Sequence, residues 1–317
     1  MTVTVKNLTK NYGEIKALKG VSFDVASGEL FGLIGPDGAG KTTLFRILTS
    51  LLLQDDGEAK VHGFDVVADY REIRKIIGYM PGRFSLYQDL TVEENLNFFA
   101  TIFNTTVEEN YQLIRDIYHQ IAPFKTRRAG DLSGGMKQKL ALSCALIHKP
   151  EILILDEPTT GVDAVSRREF WDMLARLRAS GLTILVSTPY MDEASRCDRV
   201  ALMDRGKILS INTPAGISDE FSRPLYAVKA DRRYQLLKTL RSYPYTRSVF
   251  TFGELAHYTD SRDDFDPEML RSHLEQEGLR DVRVELINPG VEDTLISLMT
   301  TESESIVDGN KFGKSGE

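Results

Sequence analysis

The chain has 317 residues, 42% hydrophobic and 27% charged, an ordinary composition for a globular protein. That length suits one larger domain plus a smaller one better than a single core. The net charge of −7, with no block of lysine and arginine, argues against nucleic acid as a partner, because phosphate neutralisation drives such binding.

Met1 to Lys6 lack the apolar core of a signal peptide. No apolar run approaches the roughly 20 residues that span a bilayer, so direct membrane insertion is not expected. Thr2 to Val5 and Val21 to Val25 alternate polar and apolar, the pattern of antiparallel edge strands. Leu30 to Ile34 is a continuous apolar run that stops at glycine, which predicts a buried strand feeding a loop. Two more such runs follow, Ile152 to Leu155 and Thr183 to Val186. Helical patterns lie between them, so an α/β core with a parallel sheet is expected. From about 85 to 146 the pattern is mostly helical and predicts an insertion into that core.

Composition shifts near Asn212-Thr213-Pro214 and again at Ser222-Arg223-Pro224. A first domain over 1–220 and a small α+β domain over 222–300 are expected, the second in the order strand, helix, strand, strand, helix, strand. One of its helices is punctuated by Asp266 as N-cap, Pro267 in the first turn and Gly278 beyond the end. Residues 301–317 are rich in serine, glycine and charge and are expected to lack regular structure. Cys144 and Cys197 lie far apart, match neither a disulfide framework nor a zinc site, and fit a reducing cytosol.

Gly35-Pro36-Asp37-Gly38-Ala39-Gly40-Lys41-Thr42 follows the first buried strand directly and fits G-x-x-x-x-G-K-[ST]. Its glycines let backbone N–H groups converge on phosphate oxygens, and the following helix, which opens with Thr43 next in line, aims its positive end there. Lys41 is placed to reach the β- and γ-phosphates and Thr42 to ligate magnesium. Downstream, the strand Ile152 to Leu155 delivers two carboxylates, Asp156 and Glu157. Asp156 can hold magnesium through water, and Glu157 can polarise the attacking water. Alone, one acidic residue after a strand is an ordinary solvated loop. The pair gains meaning from the cradle.

Leu132-Ser133-Gly134-Gly135-Met136-Lys137-Gln138 opens a predicted helix about twenty residues before the second carboxylate strand. By itself Ser-Gly-Gly is an N-cap and a turn. With the two motifs above, it resembles the signature sequence of ABC ATPases, and Asp156 to Asp163 resembles that family's second carboxylate motif with the loop after it. The match covers Thr2 to about Asp219 and is most similar to bacterial exporters with ABC-2-type membrane subunits. The resemblance implies a P-loop NTPase fold and ATP with Mg²⁺ as cofactors. It also implies that Tyr12 stacks on adenine, whereas on its own terms Tyr12 could be an ordinary surface tyrosine. It implies a head-to-tail dimer as well, with an identical or a different second ATP-binding domain. Ser133, Gly134 and Gly135 then serve the nucleotide of the partner. The chain is expected on the cytoplasmic face of the cell membrane, held there by separate membrane subunits.

Two positions depart from the family pattern. Gly82 stands where the family has a glutamine that ligates magnesium and senses the membrane subunit. Pro189 stands where it has a histidine that touches the γ-phosphate. The expectation is an ATP site that binds and hydrolyses slowly. The competing readings are a soluble ABC protein acting on ribosomes or DNA, and a regulatory ATP-binding protein with little turnover. The first usually needs a second cradle or a long coiled coil, and neither pattern is visible.

Overall fold

The computed structural model describes residues 1–83 and 85–309, with side chains to residue 300. The chain divides into two compact units, Met1–Ala215 together with the chain from Leu298 onward, and Gly216–Ser297.

In the first unit, β1 (Val3–Tyr12), β2 (Ile15–Val25) and β3 (Leu30–Ile34) lead into α1 (Lys41–Leu48). Next come β4 (Asp56–Val61), β5 (Phe64–Asp65), α2 (Tyr70–Ile76) and β6 (Ile77–Met80). Three helices follow without an intervening strand: α3 (Val92–Ile102), α4 (Val107–Tyr118) and α5 (Gly134–Leu146). The unit continues through β7 (Ile152–Asp156), α6 (Ala164–Ala179), β8 (Thr183–Thr188), β9 (Arg199–Asp204) and β10 (Lys207–Asn212), with α7 (Pro214–Asp219) at its boundary.

These strands form two sheets. The antiparallel one runs β2-β1-β4-β5, and the main one runs β10-β9-β3-β8-β7-β6, parallel except for β10. The strands β3, β7 and β8 are buried along their whole length, because helices cover both faces of a parallel sheet. Phe31, Leu33, Ile154 and Leu185 meet Leu44 and Ile47 of α1 in the core. The first strand is longer than the expected Thr2 to Val5, since irregularities of register at Val5/Leu8, Leu8/Thr9 and Lys10/Asn11 interrupt its alternation. In the helical region, capping boxes Thr91/Glu94 and Thr106/Glu109 start α3 and α4.

The second unit holds β11 (Leu225–Lys229), α8 (Arg233–Ser242), β12 (Thr246–Phe252), β13 (Leu255–Asp260), α9 (Pro267–Gln276) and β14 (Arg283–Ile287). Its antiparallel sheet has the order β12-β13-β11-β14. Asp266 caps α9 by accepting from the Glu268 N–H, and Gly278 beyond it has φ of 83°. The closing helix α10 spans Val291–Gly309. Residues 301–309 are therefore helical, where no regular structure was expected. The segment has no glycine or proline before Gly309 to stop the helix. Residues 310–317 lie outside the described residues.

Candidate functional site

The loop between β3 and α1 is shaped by space. A Cβ on Gly35 would lie 2.0 Å from the Met203 carbonyl oxygen, and one on Gly40 2.5 Å from that of Ala17. Gly40 also has φ of 108°, which favours glycine. No side chain caps α1, and no acidic residue sits in its first turn. Its leading N–H groups are thus open to an anion, and the helix dipole favours one there. Lys41 is only 3% exposed. Its Nζ donates to the carbonyls of Gly35 (2.8 Å) and Pro36 (3.0 Å) and lies 3.2 Å from Glu157 Oε1.

The carboxylates reach this loop through β8, which lies between β3 and β7 in the sheet. Asp156 pairs with Ser187 in register, and the Ser187 hydroxyl donates to Asp156 Oδ1 at 2.7 Å. The Thr42 hydroxyl donates to the same oxygen at 3.2 Å. The next peptide N–H, of Glu157, is shared between the Ser187 hydroxyl (3.0 Å) and carbonyl (3.1 Å). Glu157 has φ of 49°, unusual outside glycine and costing about 1–3 kcal/mol. Such a conformation persists only where neighbours enforce it, and it turns the carboxylate back toward Lys41.

Around this array opens a cleft of about 680 Å³ lined by Tyr12, Lys41, Thr42, Thr43, Glu157 and Arg205, among others. Tyr12, 44% exposed, is the aromatic residue of that lining. The dimensions and the donor set suit a nucleotide: an aromatic rim, then open helix N–H groups, an ammonium and two carboxylates.

The ABC transporter family pattern matches residues 18–160. The Nod factor export ATP-binding protein I of Rhizobium sp. (strain N33) is 36% identical over 309 residues, 96% of this chain and 99% of that protein. The chain belongs to the ATP-binding proteins of ABC transporters. A second relative, the probable multidrug ABC transporter ATP-binding protein YbhF of Escherichia coli (strain K12), is 36% identical over 94% of this chain. The match spans only 52% of YbhF, so the chain covers about half the length of that relative. Among solved structures, the ATP-binding subunit of an ABC transporter matches with a TM-score of 0.64 and 28% identity, covering 70% of this chain and 93% of that one. The dimeric cassette MJ0796, in a post-hydrolysis state bound to ADP and Pi, matches with a TM-score of 0.60 and 27% identity over 67% of this chain and 98% of its own. The fold is that of an ATP-binding cassette.

Within this cassette, Lys41, Thr42, Thr43, Gly38, Ala39, Gly40, Glu157 and Tyr12 line one cleft, and Asp156 sits behind Thr42. Gly35, Pro36 and Asp37 form the entry of the same loop. Ser133, Gly134 and Gly135 do not line that cleft. Ser133 caps α5 by accepting from the Met136 N–H, and a Cβ on Gly134 would face the Gly161 carbonyl at 3.5 Å. Gly82 lies against the carboxylate strand, where a Cβ would be 3.1 Å from the Asp156 carbonyl and 3.7 Å from its Oδ2. A longer side chain there would point at Asp156. Pro189 follows Thr188 at the tip of β8, two residues past the serine that holds Asp156.

Sequence reasoning missed Ser187, and it missed Arg205, which reaches the cleft from the turn between β9 and β10. That turn is clipped to the phosphate loop by the Gly206 N–H donating to the Ala39 carbonyl at 2.9 Å. The only sequence signal for it is Asp204-Arg205-Gly206, a turn motif with a cation.

Proposed function

We propose that the chain binds Mg-ATP in the Tyr12–Lys41–Asp156 cleft and is the ATP-driven subunit of an exporter, with slow turnover at its own site. The observation that carries this reading is the shared hydrogen-bond array in which Thr42 and Ser187 both donate to Asp156 while Glu157 faces Lys41. Two hard oxygen donors at the mouth of an open helix N-terminus suit Mg²⁺, which takes one or two protein ligands and fills the rest with phosphate oxygens and water. When bound, the metal supplies charge neutralisation between the phosphates.

The chain's own groups do the remainder. The α1 N–H groups and Lys41 hold phosphate oxygens, Thr42 and Asp156 hold the cation, and Tyr12 stacks on the base. Glu157 gives up its ion pair with Lys41 to phosphate and is then free to accept a proton from water. Gly82 and Pro189 contribute no side-chain polar group toward the γ-phosphate, and contacts of that kind are worth about 10²–10³ in rate each. Ser133 and Gly134, which are exposed, and Gly135, which is buried against Ser166, complete the site of a second cassette. A homodimer then carries two slow sites, so a different, intact cassette is the better partner.

Among the described residues no helix is long and apolar enough to cross a membrane. Attachment to the cytoplasmic face of a membrane therefore rests on separate membrane subunits, and the relatives named for export favour an exporter. A regulatory ATP-binding role with little turnover is the second reading, favoured by the same two positions. Calorimetric titration with ATP, with and without magnesium, tests the binding site. Magnesium-dependent binding that Thr42→Ala weakens supports it, and equal binding without magnesium overturns it. Sedimentation with membranes only when the membrane subunits are co-expressed supports the transporter reading, and equal binding to bare liposomes overturns it.

A further inference from the structure

Glu193 is a buried carboxylate, 3% exposed, on the short 3-10 turn Met191–Arg196. Nothing in the nucleotide chemistry above uses it. Its Oε1 accepts from the Thr159 hydroxyl at 2.8 Å, and its Oε2 accepts from the Thr188 hydroxyl at 2.5 Å. Both threonines are buried, at 1% and 0% exposure. The Arg167 guanidinium lies 3.7 Å from Oε1, held in turn by Asp192 at 3.1 Å and by the Tyr190 ring, 4.8 Å below it.

The placement of the two threonines gives this cluster a purpose. Thr159 is two residues past Glu157, and Thr188 is the last residue of β8, next to Ser187. Glu157 is therefore bracketed. Before it, Ser187 fixes Asp156 and the Glu157 N–H. After it, the loop is tied through Thr159 and Glu193 to Thr188 on the same strand. The Thr188 hydroxyl also accepts from the Tyr190 N–H at 3.0 Å, so it is committed at both its donor and its acceptor side. A left-handed backbone at a non-glycine residue persists where the surrounding structure over-determines it, and both flanks of Glu157 are tied.

We propose that Glu193 is a positioning residue for Glu157: it locks the loop after the carboxylate and so holds Glu157 in its left-handed conformation facing the phosphate site. The idea rests on the reading of Glu157 as the group that activates water. With Gly82 and Pro189 supplying no polar side chain, more of the orienting of water falls to Glu157, and its placement becomes correspondingly more important.

The test is single-turnover hydrolysis of radiolabelled ATP together with ATP affinity, for the full chain and five variants. Glu157→Gln comes first: if it hydrolyses ATP as fast as the unmodified chain, the assignment of Glu157 itself fails. With that arm behaving as expected, Glu193→Ala should slow hydrolysis about 10–100-fold, the scale of a misplaced catalytic group, while ATP affinity stays within about twofold. Glu193→Gln keeps one acceptor oxygen and should fall between. Thr159→Val should slow hydrolysis as well, and combined with Glu193→Ala it should add nothing further, since both act through one link. An unchanged rate in Glu193→Ala overturns the proposal. So does a parallel collapse of rate and affinity, which marks general loosening. Should Glu193→Ala not fold, Thr159→Val decides: a loss of about tenfold or more supports the link, and an unchanged rate overturns it.

Discussion

Replacing Lys41 with methionine keeps the stem and removes the ammonium, which isolates the charge at the centre of the phosphate loop. The Lys41 Nζ serves three acceptors: two carbonyls of the loop at 2.8 and 3.0 Å, and the Glu157 carboxylate at 3.2 Å. Without nucleotide, its loss strands two largely enclosed carbonyls and unpairs a carboxylate that is 22% exposed. Hydrogen bonds from a charged donor are worth about 1.5–3 kcal/mol each, but Glu157 and Pro36 recover part of theirs from water, so a net cost of about 2–4 kcal/mol is expected. For a unit of this size that lowers the melting temperature by about 4–16 °C. For ATP, one lost charged contact of about 1.5–3 kcal/mol weakens binding about 10–150-fold. Differential scanning fluorimetry and calorimetric titration read the two effects separately. A variant that melts within about 1 °C of the unmodified chain and binds ATP within about threefold of it refutes the placement of Lys41 at the phosphates.

Three further outcomes follow from the geometry. Gly35→Ala places a Cβ 2.0 Å from the Met203 carbonyl, so the loop must move. ATP affinity should fall at least about tenfold, with stability lower by about 1–3 kcal/mol, and unchanged affinity by titration contradicts this. Burial, and then the Asp156 charge, push the Tyr79 phenol up to about 12. A raised pKa means its contribution to stability is complete below the unfolded value near 10 and is lost as pH rises from there toward 12. Burial also raises Tyr118 and Tyr258, so absorbance at 295 nm should lose one of several late-titrating tyrosines in Tyr79→Phe, and a curve unaltered by that substitution contradicts the burial argument. Gly82→Gln with Pro189→His supplies polar groups beside Asp156 and after Thr188, and should raise ATPase at least about tenfold; a fall in rate with nucleotide affinity retained contradicts this account of slow turnover.

What could be read from the sequence had local causes. Continuous apolar runs marked β3, β7 and β8, because a doubly covered parallel strand has no polar face. Asp266, Pro267 and Gly278 marked α9 through cap chemistry confined to a dozen residues. The phosphate loop was legible because its glycines are required by the backbone itself. The linkage among strands was not. Ser187 reads as a polar residue just past an apolar run until β8 is placed between β3 and β7, when its hydroxyl falls on Asp156. Arg205 enters the cleft from a turn far along the chain, and the Glu193 cluster gathers residues from three elements. The length of β1 escaped because its bulges break the alternation used to find strands. The helix through Gly309 escaped because a polar, charged segment without glycine or proline reads equally as loose chain.

The central claim is a cleft that binds Mg-ATP through Lys41, Thr42 and Asp156 but hydrolyses it slowly for want of polar side chains at positions 82 and 189. Single-turnover hydrolysis of radiolabelled ATP by the unmodified chain, in excess over nucleotide and with magnesium, tests it most directly. Bound ATP that is hydrolysed more slowly than about 0.1 s⁻¹ is the predicted result. Hydrolysis at about 10 s⁻¹, the middle of the range for enzymes in general, would contradict it.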